Sequence, residues 1–282
     1  MWAMLTGDWW TAWVLDPATI AIVAGLVALY LRGVARRQAR GVDRPRQRRA
    51  FLTGAGVVLV AHLGPPAAYA TVLFWPHMVQ HLLLLLVAAP LLAAGAPTVT
   101  VRAALPPAGR RVLARLSRRS HRLRRAIGDP PPLVLATVVH IAVVWVWHFP
   151  PAYDAAVASP ALHLVEHATF LAAAVWFWAE VWATARRHRR QQALATLCLG
   201  AMIVQGGVLG ALLTFAGRSL FEVYGGGGGL TALEDQQLAG ALMWVPPGFV
   251  YASIAVRRFI AWMHQADAEQ RAREARALAR RG

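Results

Sequence analysis

Thiols, lysine and acidic groups are almost missing from this chain of 282 residues. A single cysteine, Cys198, excludes an internal disulfide and a two-thiolate metal site. Lysine is absent and all 29 basic residues are arginine, which we read as coding bias rather than mechanism. Only 13 acidic residues oppose them, so the net charge is +16. On a soluble domain such a charge would suggest nucleic acid, but 57% of the residues are hydrophobic and only 15% are charged. The opening MWAMLTGDWWTAW has no basic stretch, so no cleavable signal is expected before the first apolar run.

Long apolar runs are what the chain has instead. Seven of them, at 14–33, 51–73, 77–97, 131–149, 161–183, 193–216 and 236–256, approach the ~20 residues that cross a bilayer. The fold expected is an all-α, polytopic membrane bundle of seven transmembrane helices, with a tight Trp-Pro-bearing turn between the second and third. The arginines fall in alternate loops, eight in 32–49, nine in 102–125, four in 186–190 and seven in 257–281. Basic loops stay on the cytoplasmic side, so the N-terminus is expected outside and the C-terminus in the cytoplasm, with no nucleic-acid partner. Residues 1–256 form the membrane domain and 257–282 a basic cytoplasmic tail. The aromatic start, with Trp2, Trp9, Trp10 and Trp13, suits an outer interfacial belt.

Within the cytoplasmic loop 102–130, Val112, Leu113, Leu116, Leu123 and Ile127 recur at helical spacing among arginines, which predicts an amphipathic helix on anionic lipid. The tail, with Ile260, Trp262 and Met263, is expected to anchor similarly. The outer loop 217–235 contains five consecutive glycines, Gly225 to Gly229, and is expected to be mobile, a lid or docking surface. Cys198 is expected to be a small buried packing residue.

Chemistry concentrates at the opposite end. His77-Met-Val-Gln-His81 and His163-Leu-Val-Glu-His167 each put two imidazoles one turn apart on a helix face near a membrane boundary. His148 ends the fourth span at that level and Asp235 opens the seventh. One histidine at an interface is more often a hydrogen-bonding residue than a ligand. Five together, His77, His81, His148, His163 and His167, are what a soft or borderline metal ion needs, since intramembrane imidazoles are costly without a partner. Auxiliary roles are expected for Glu166, pointing about 100° from His167 and able to orient another helix's histidine, and for Asp235, Met78 and Met243. His140 and Met243 lie deeper and extend a ligand path inward. His62 faces either the site or a neighbouring helix. Two other readings fit the spacing. Facing histidines such as His81 and His167 permit bis-histidine haem ligation in an electron-transfer protein. His163-x-x-Glu166-His167 fits the inverted zinc-protease pattern, with Glu166 as base.

The stretches His77 to Leu83, Ala89-Pro90-Leu91-Leu92, Gly95-Ala96-Pro97, Trp147-His148, Tyr153-Asp154-Ala155-Ala156, His163 to Phe170, and Asp235 to Gly240 with Met243-Trp244 resemble the CtaG family of bacterial caa-type cytochrome c oxidase assembly factors. The resemblance runs from about residue 51 to 256. It implies a multi-pass protein of the bacterial plasma membrane, an assembly factor and not an enzyme, with no catalytic residue. The expected role is to help copper enter the binuclear centre of the oxidase. Implied partners are the oxidase catalytic subunit, membrane lipids and a soluble extracytoplasmic copper donor. The family's histidine motifs map onto His77, His81, His148, His163 and His167, and its acidic motif onto Asp235.

Overall fold

A computed structural model describes residues 11–184 and 189–279. Trp2, Trp9, Trp10, Arg186, Arg187, Arg280 and Arg281 lie outside the described residues. The helices are α1 (Pro17–Gln38), α2 (Pro45–Leu63), α3 (Pro65–Tyr69), α4 (Phe74–Leu82), α5 (Ala89–Ala94), α6 (Pro97–Ala104), α7 (Pro107–Ala126), α8 (Pro132–Trp147), α9 (Pro150–Ala158), α10 (Pro160–Thr184), α11 (Arg189–Thr214) and α12 (Ala232–Ala279). Proline opens α1, α2, α3, α6, α7, α8, α9 and α10. Its fixed φ suits the first helical turn, where its missing N–H leaves no bond unmade.

Six helical segments are long and apolar enough to cross a membrane, and seven if the pair α8 and α9, bent by 74° at Phe149, counts as one span. Large apolar side chains such as Leu26 on α1, Val138 and Val146 on α8, and Leu197, Val204 and Phe215 on α11 face outward and exposed. Lipid replaces water at such a surface, and the backbone is satisfied within each helix.

Several sequence expectations move. The turn before the third span is residues 70–73, and Trp75 and Pro76 lie inside the first turn of α4. The helix α12 is 48 residues long, running about 72 Å at ~1.5 Å per residue, and carries residues 257–279 of the basic tail without a break. Pro246 and Pro247 lie within it without ending it. α7 is helical and buries no residue. Its exposed Val112, Leu116 and Leu123 fall four and seven residues apart, about one and two turns, on one face.

The third span contains a π-helical turn, Leu83–Ala88, between α4 and α5. There the Ala89 N–H donates to the Leu84 carbonyl, five residues back. In that register Leu85 looks to residue 90, a proline with no N–H. The Trp178 indole donates to the Leu85 carbonyl instead, at 2.9 Å. Trp178 is also fully buried in the central core with Phe177, Leu199, Met202 and Tyr251. A second core stacks Tyr30 on Phe51, with ring centroids 3.7 Å apart. α11 and α12 approach closely at Gly210 and Gly240, where a Cβ on Gly210 would lie 2.8 Å from the Gly240 carbonyl oxygen.

Chain direction puts the C-terminus of α2 and the N-termini of α4, α10 and α12 at one end of the bundle. The arginine-bearing C-terminus of α1, N-terminus of α2 and C-terminal part of α12 lie at the other.

Candidate metal centre

α10 turns one stripe inward: Glu166, His167, Phe170, Ala173, Ala174, Phe177 and Trp178 are buried at three- and four-residue spacing. A core-facing stripe at least ~100° wide takes in two adjacent residues. Glu166 therefore shares the inward face with His167, and its carboxylate is fully buried rather than reaching back to an interface. α4 is buried nearly all round, so His77, Met78 and His81 are each at most 3% exposed.

Three imidazole nitrogens converge between these helices. His77 Nε2 lies 2.9 Å from His81 Nε2, which lies 3.0 Å from His167 Nε2. Glu166 presents Oε1 at 3.6 Å from His81 Nε2 and Oε2 at 4.0 Å from His77 Nε2. The half-buried His163 completes the group, with one ligand atom each from His77, His163, Glu166 and His167 within 4.8 Å of one another.

The surrounding bonds assign the ring protons. A carbonyl oxygen only accepts, so His62 Nδ1–H donates to the Val58 carbonyl at 2.9 Å and His62 Nε2 carries a lone pair. That lone pair accepts from His167 Nδ1–H at 3.0 Å, which leaves His167 Nε2 unprotonated. On the other side the Tyr224 hydroxyl donates to the Ala70 carbonyl at 2.9 Å. Burial pushes this phenol above its ordinary range and keeps it protonated. Tyr224 Oη therefore accepts from His77 Nδ1–H at 3.0 Å and from the Tyr153 hydroxyl at 2.9 Å. His77 Nε2 is left unprotonated too.

Two lone pairs thus point at His81 Nε2. A neutral His81 carries one proton and satisfies at most one of them. Both Glu166 oxygens and His163 Nε2 are buried with no hydrogen-bond partner among the described residues. Convergent imidazole lone pairs beside an unpartnered carboxylate are what a cation satisfies. Nitrogens held ~2.0–2.1 Å from a tetrahedral ion lie about 3.3 Å apart, close to the separations here. His62 and Tyr224 take the outer N–H of His167 and His77, as the supports of metal-bound histidines do. The donor set, imidazoles with one carboxylate, fits copper or zinc. With His81 and His167 nitrogens 3.0 Å apart, there is no slot between them for a porphyrin.

The remaining candidates lie elsewhere. Asp235 bonds no histidine among the described residues: its carboxylate accepts the backbone N–H of Phe74 at 2.7 Å and Trp75 at 2.9 Å, capping the helix that carries His77 and His81. His148 is outside the close group, with its ring 6.0 Å from that of His81. It lines a cavity of about 50 Å³ together with Met78, His140 and Met243. The glycine loop expected to be mobile forms a turn closed by mutual Gly227–Leu230 bonds of 2.9 and 3.1 Å, and Tyr224 enters the site from its edge. Sequence reasoning left His62 open and missed Tyr153 and Tyr224. No spacing marks Tyr224, whereas Tyr153 lies within one of the stretches that carry the family resemblance.

The family model for the cytochrome c oxidase caa3 assembly factor (Caa3_CtaG) matches residues 28–265, most of the chain. No curated protein and no solved structure matches the chain.

Proposed function

The chain belongs to the cytochrome c oxidase caa3 assembly factor family, and from that premise we propose that it carries a copper ion, as cargo, for the catalytic subunit of the oxidase. His77, His81, His163, Glu166 and His167 hold the ion. The observation that carries this reading is the pair of lone pairs on His77 and His167 aimed at His81 Nε2 beside the unpartnered Glu166 carboxylate. Copper stands highest among first-row divalent ions for such nitrogen and oxygen donors. Imidazoles release an ion one at a time, so a receiving site built of imidazoles displaces them in steps. The role is that of a carrier and not an enzyme.

Basic segments at the end of the bundle away from the site support a plasma-membrane topology with the site toward the outside and the C-terminus in the cytoplasm. The ion then enters from an extracytoplasmic donor and leaves at the depth of a metal centre buried in the oxidase's own helices.

The test has two parts. Protein purified in detergent is titrated with copper against a competing chelator, and a His77→Ala/His167→Ala variant is expected to lose the tight equivalent. In a strain lacking the protein, the oxidase is expected to assemble with depleted copper, restored by the wild type and not by the variant. Full copper occupancy without the protein would remove the proposal, and a haem absorption band in the purified protein would redirect it.

A further inference from the structure

Beneath the histidine and carboxylate group lies the cavity of about 50 Å³, whose wall includes Met78, His81, His140, His148, Met202 and Met243. The side chains come from α4, α8 with its C-cap His148, α11 and α12. Three of the six methionines in the chain are here. One methionine in an apolar helix is ordinarily packing. These three share their cavity with unpaired nitrogens.

His81 Nδ1, His140 Nδ1 and His148 Nε2 are buried and have no hydrogen-bond partner among the described residues, and neither does the Gln205 side-chain oxygen on the same wall. Each such group costs about 1–3 kcal/mol if nothing satisfies it. The protonation of His148 follows from its neighbour. Its Nδ1–H donates to the Val144 carbonyl at 2.7 Å, so Nε2 presents a free lone pair, the tautomer of a metal ligand. His140, 1% exposed, and His148, 6% exposed, are buried. Among the described residues no carboxylate lines the cavity. Neutral imidazole with thioether is the donor set of a soft monovalent ion, whereas the group above, with Glu166, offers a harder, charged one.

We propose that this cavity is a second metal site, selective for Cu(I), coordinated by His148 with methionine sulfur and joined to the upper site through His81, with His140 a further donor about two turns deeper on the same helix. His81 belongs to both, since its Nε2 lies in the upper group and its Nδ1 is the unpaired nitrogen below. Under reducing conditions Cu(I) moves between the two by ligand exchange at this ring, without change of oxidation state. The proposal extends the copper-carrying reading, but its own ligands are separate from those that reading requires, His81 excepted.

The experiment titrates anaerobic, detergent-purified protein with Cu(I) against a chromophoric chelator and records copper X-ray absorption at each equivalent. Wild type is expected to bind two equivalents, one with sulfur neighbours. A Met78→Leu/Met202→Leu/Met243→Leu variant, near-isosteric and so expected to fold, is expected to lose sulfur scattering. His140→Leu/His148→Leu is expected to lose one equivalent, and His163→Ala/Glu166→Gln to lose the other while keeping the sulfur-bound ion. A single, sulfur-free equivalent unaffected by the His140 and His148 changes would overturn this proposal, leave the upper site standing and make the cavity a hydrated pocket. One sulfur-bound equivalent, insensitive to His163→Ala/Glu166→Gln, would support the cavity site and count against the upper one.

Discussion

Tyr224→Phe deletes a single oxygen 3.0 Å from His77 Nδ1. That oxygen also donates to the Ala70 carbonyl and accepts from Tyr153, so three hydrogen bonds go at once. The consequence for folding is a buried carbonyl, a buried imidazole N–H and the Tyr153 hydroxyl left unpaired, at about 1–3 kcal/mol each. The consequence for the site is separate. Without its acceptor, His77 Nδ1–H no longer fixes the tautomer, and the Nε2 lone pair is available only part of the time. Losing such an outer partner lowers metal affinity about 10–100-fold, or about 1.4–2.8 kcal/mol. Copper affinity by chelator competition reads the second effect, and thermal unfolding in detergent reads the first. Tyr153→Phe separates the two, because it removes one donor to Tyr224 and leaves the His77 bond in place. It is expected to lower stability by about 1 kcal/mol with affinity unchanged. Equal copper affinity in wild type and in folded Tyr224→Phe would refute the tautomer argument.

Asp235→Ala removes both acceptors at the start of α4. Bonds to a charged group contribute about 1.5–3 kcal/mol each, so a clear drop in unfolding temperature is expected, and an unshifted one would rule out the capping role. Gly240→Val drives a side chain against Thr214 and the Gly210 carbonyl, both under 3.0 Å from the Cβ position. Overpacking of this kind costs about 1–3 kcal/mol, and denaturation of the purified variant checks it. For topology, Gly217→Cys on a Cys198→Ser background should react with a membrane-impermeant thiol reagent added to intact cells, and Ser120→Cys should not. The reverse pattern would invert the proposed orientation.

The resemblance carried in the His77, His148, His163 and Asp235 stretches, all local strings, named the family that the match over residues 28–265 establishes. The apolar runs fall in helices long and apolar enough to cross a membrane, six or, with the bent pair, seven, because span length follows from bilayer thickness. Helix continuation was less legible. Hydropathy falls where α12 leaves the apolar stretch, yet its helical bonding runs on to Ala279.

The site divides in the same way. Four-residue spacing determined that His77 pairs with His81 and His163 with His167, since one turn of helix fixes that neighbourhood. Helix rotation, set by packing between segments far apart in sequence, decided the rest. Packing brought Glu166 inward beside His77 and His81, sent His148 to the cavity below and made Asp235 a cap for α4. It also carried Tyr224, 147 residues from His77, to the nitrogen whose proton it holds.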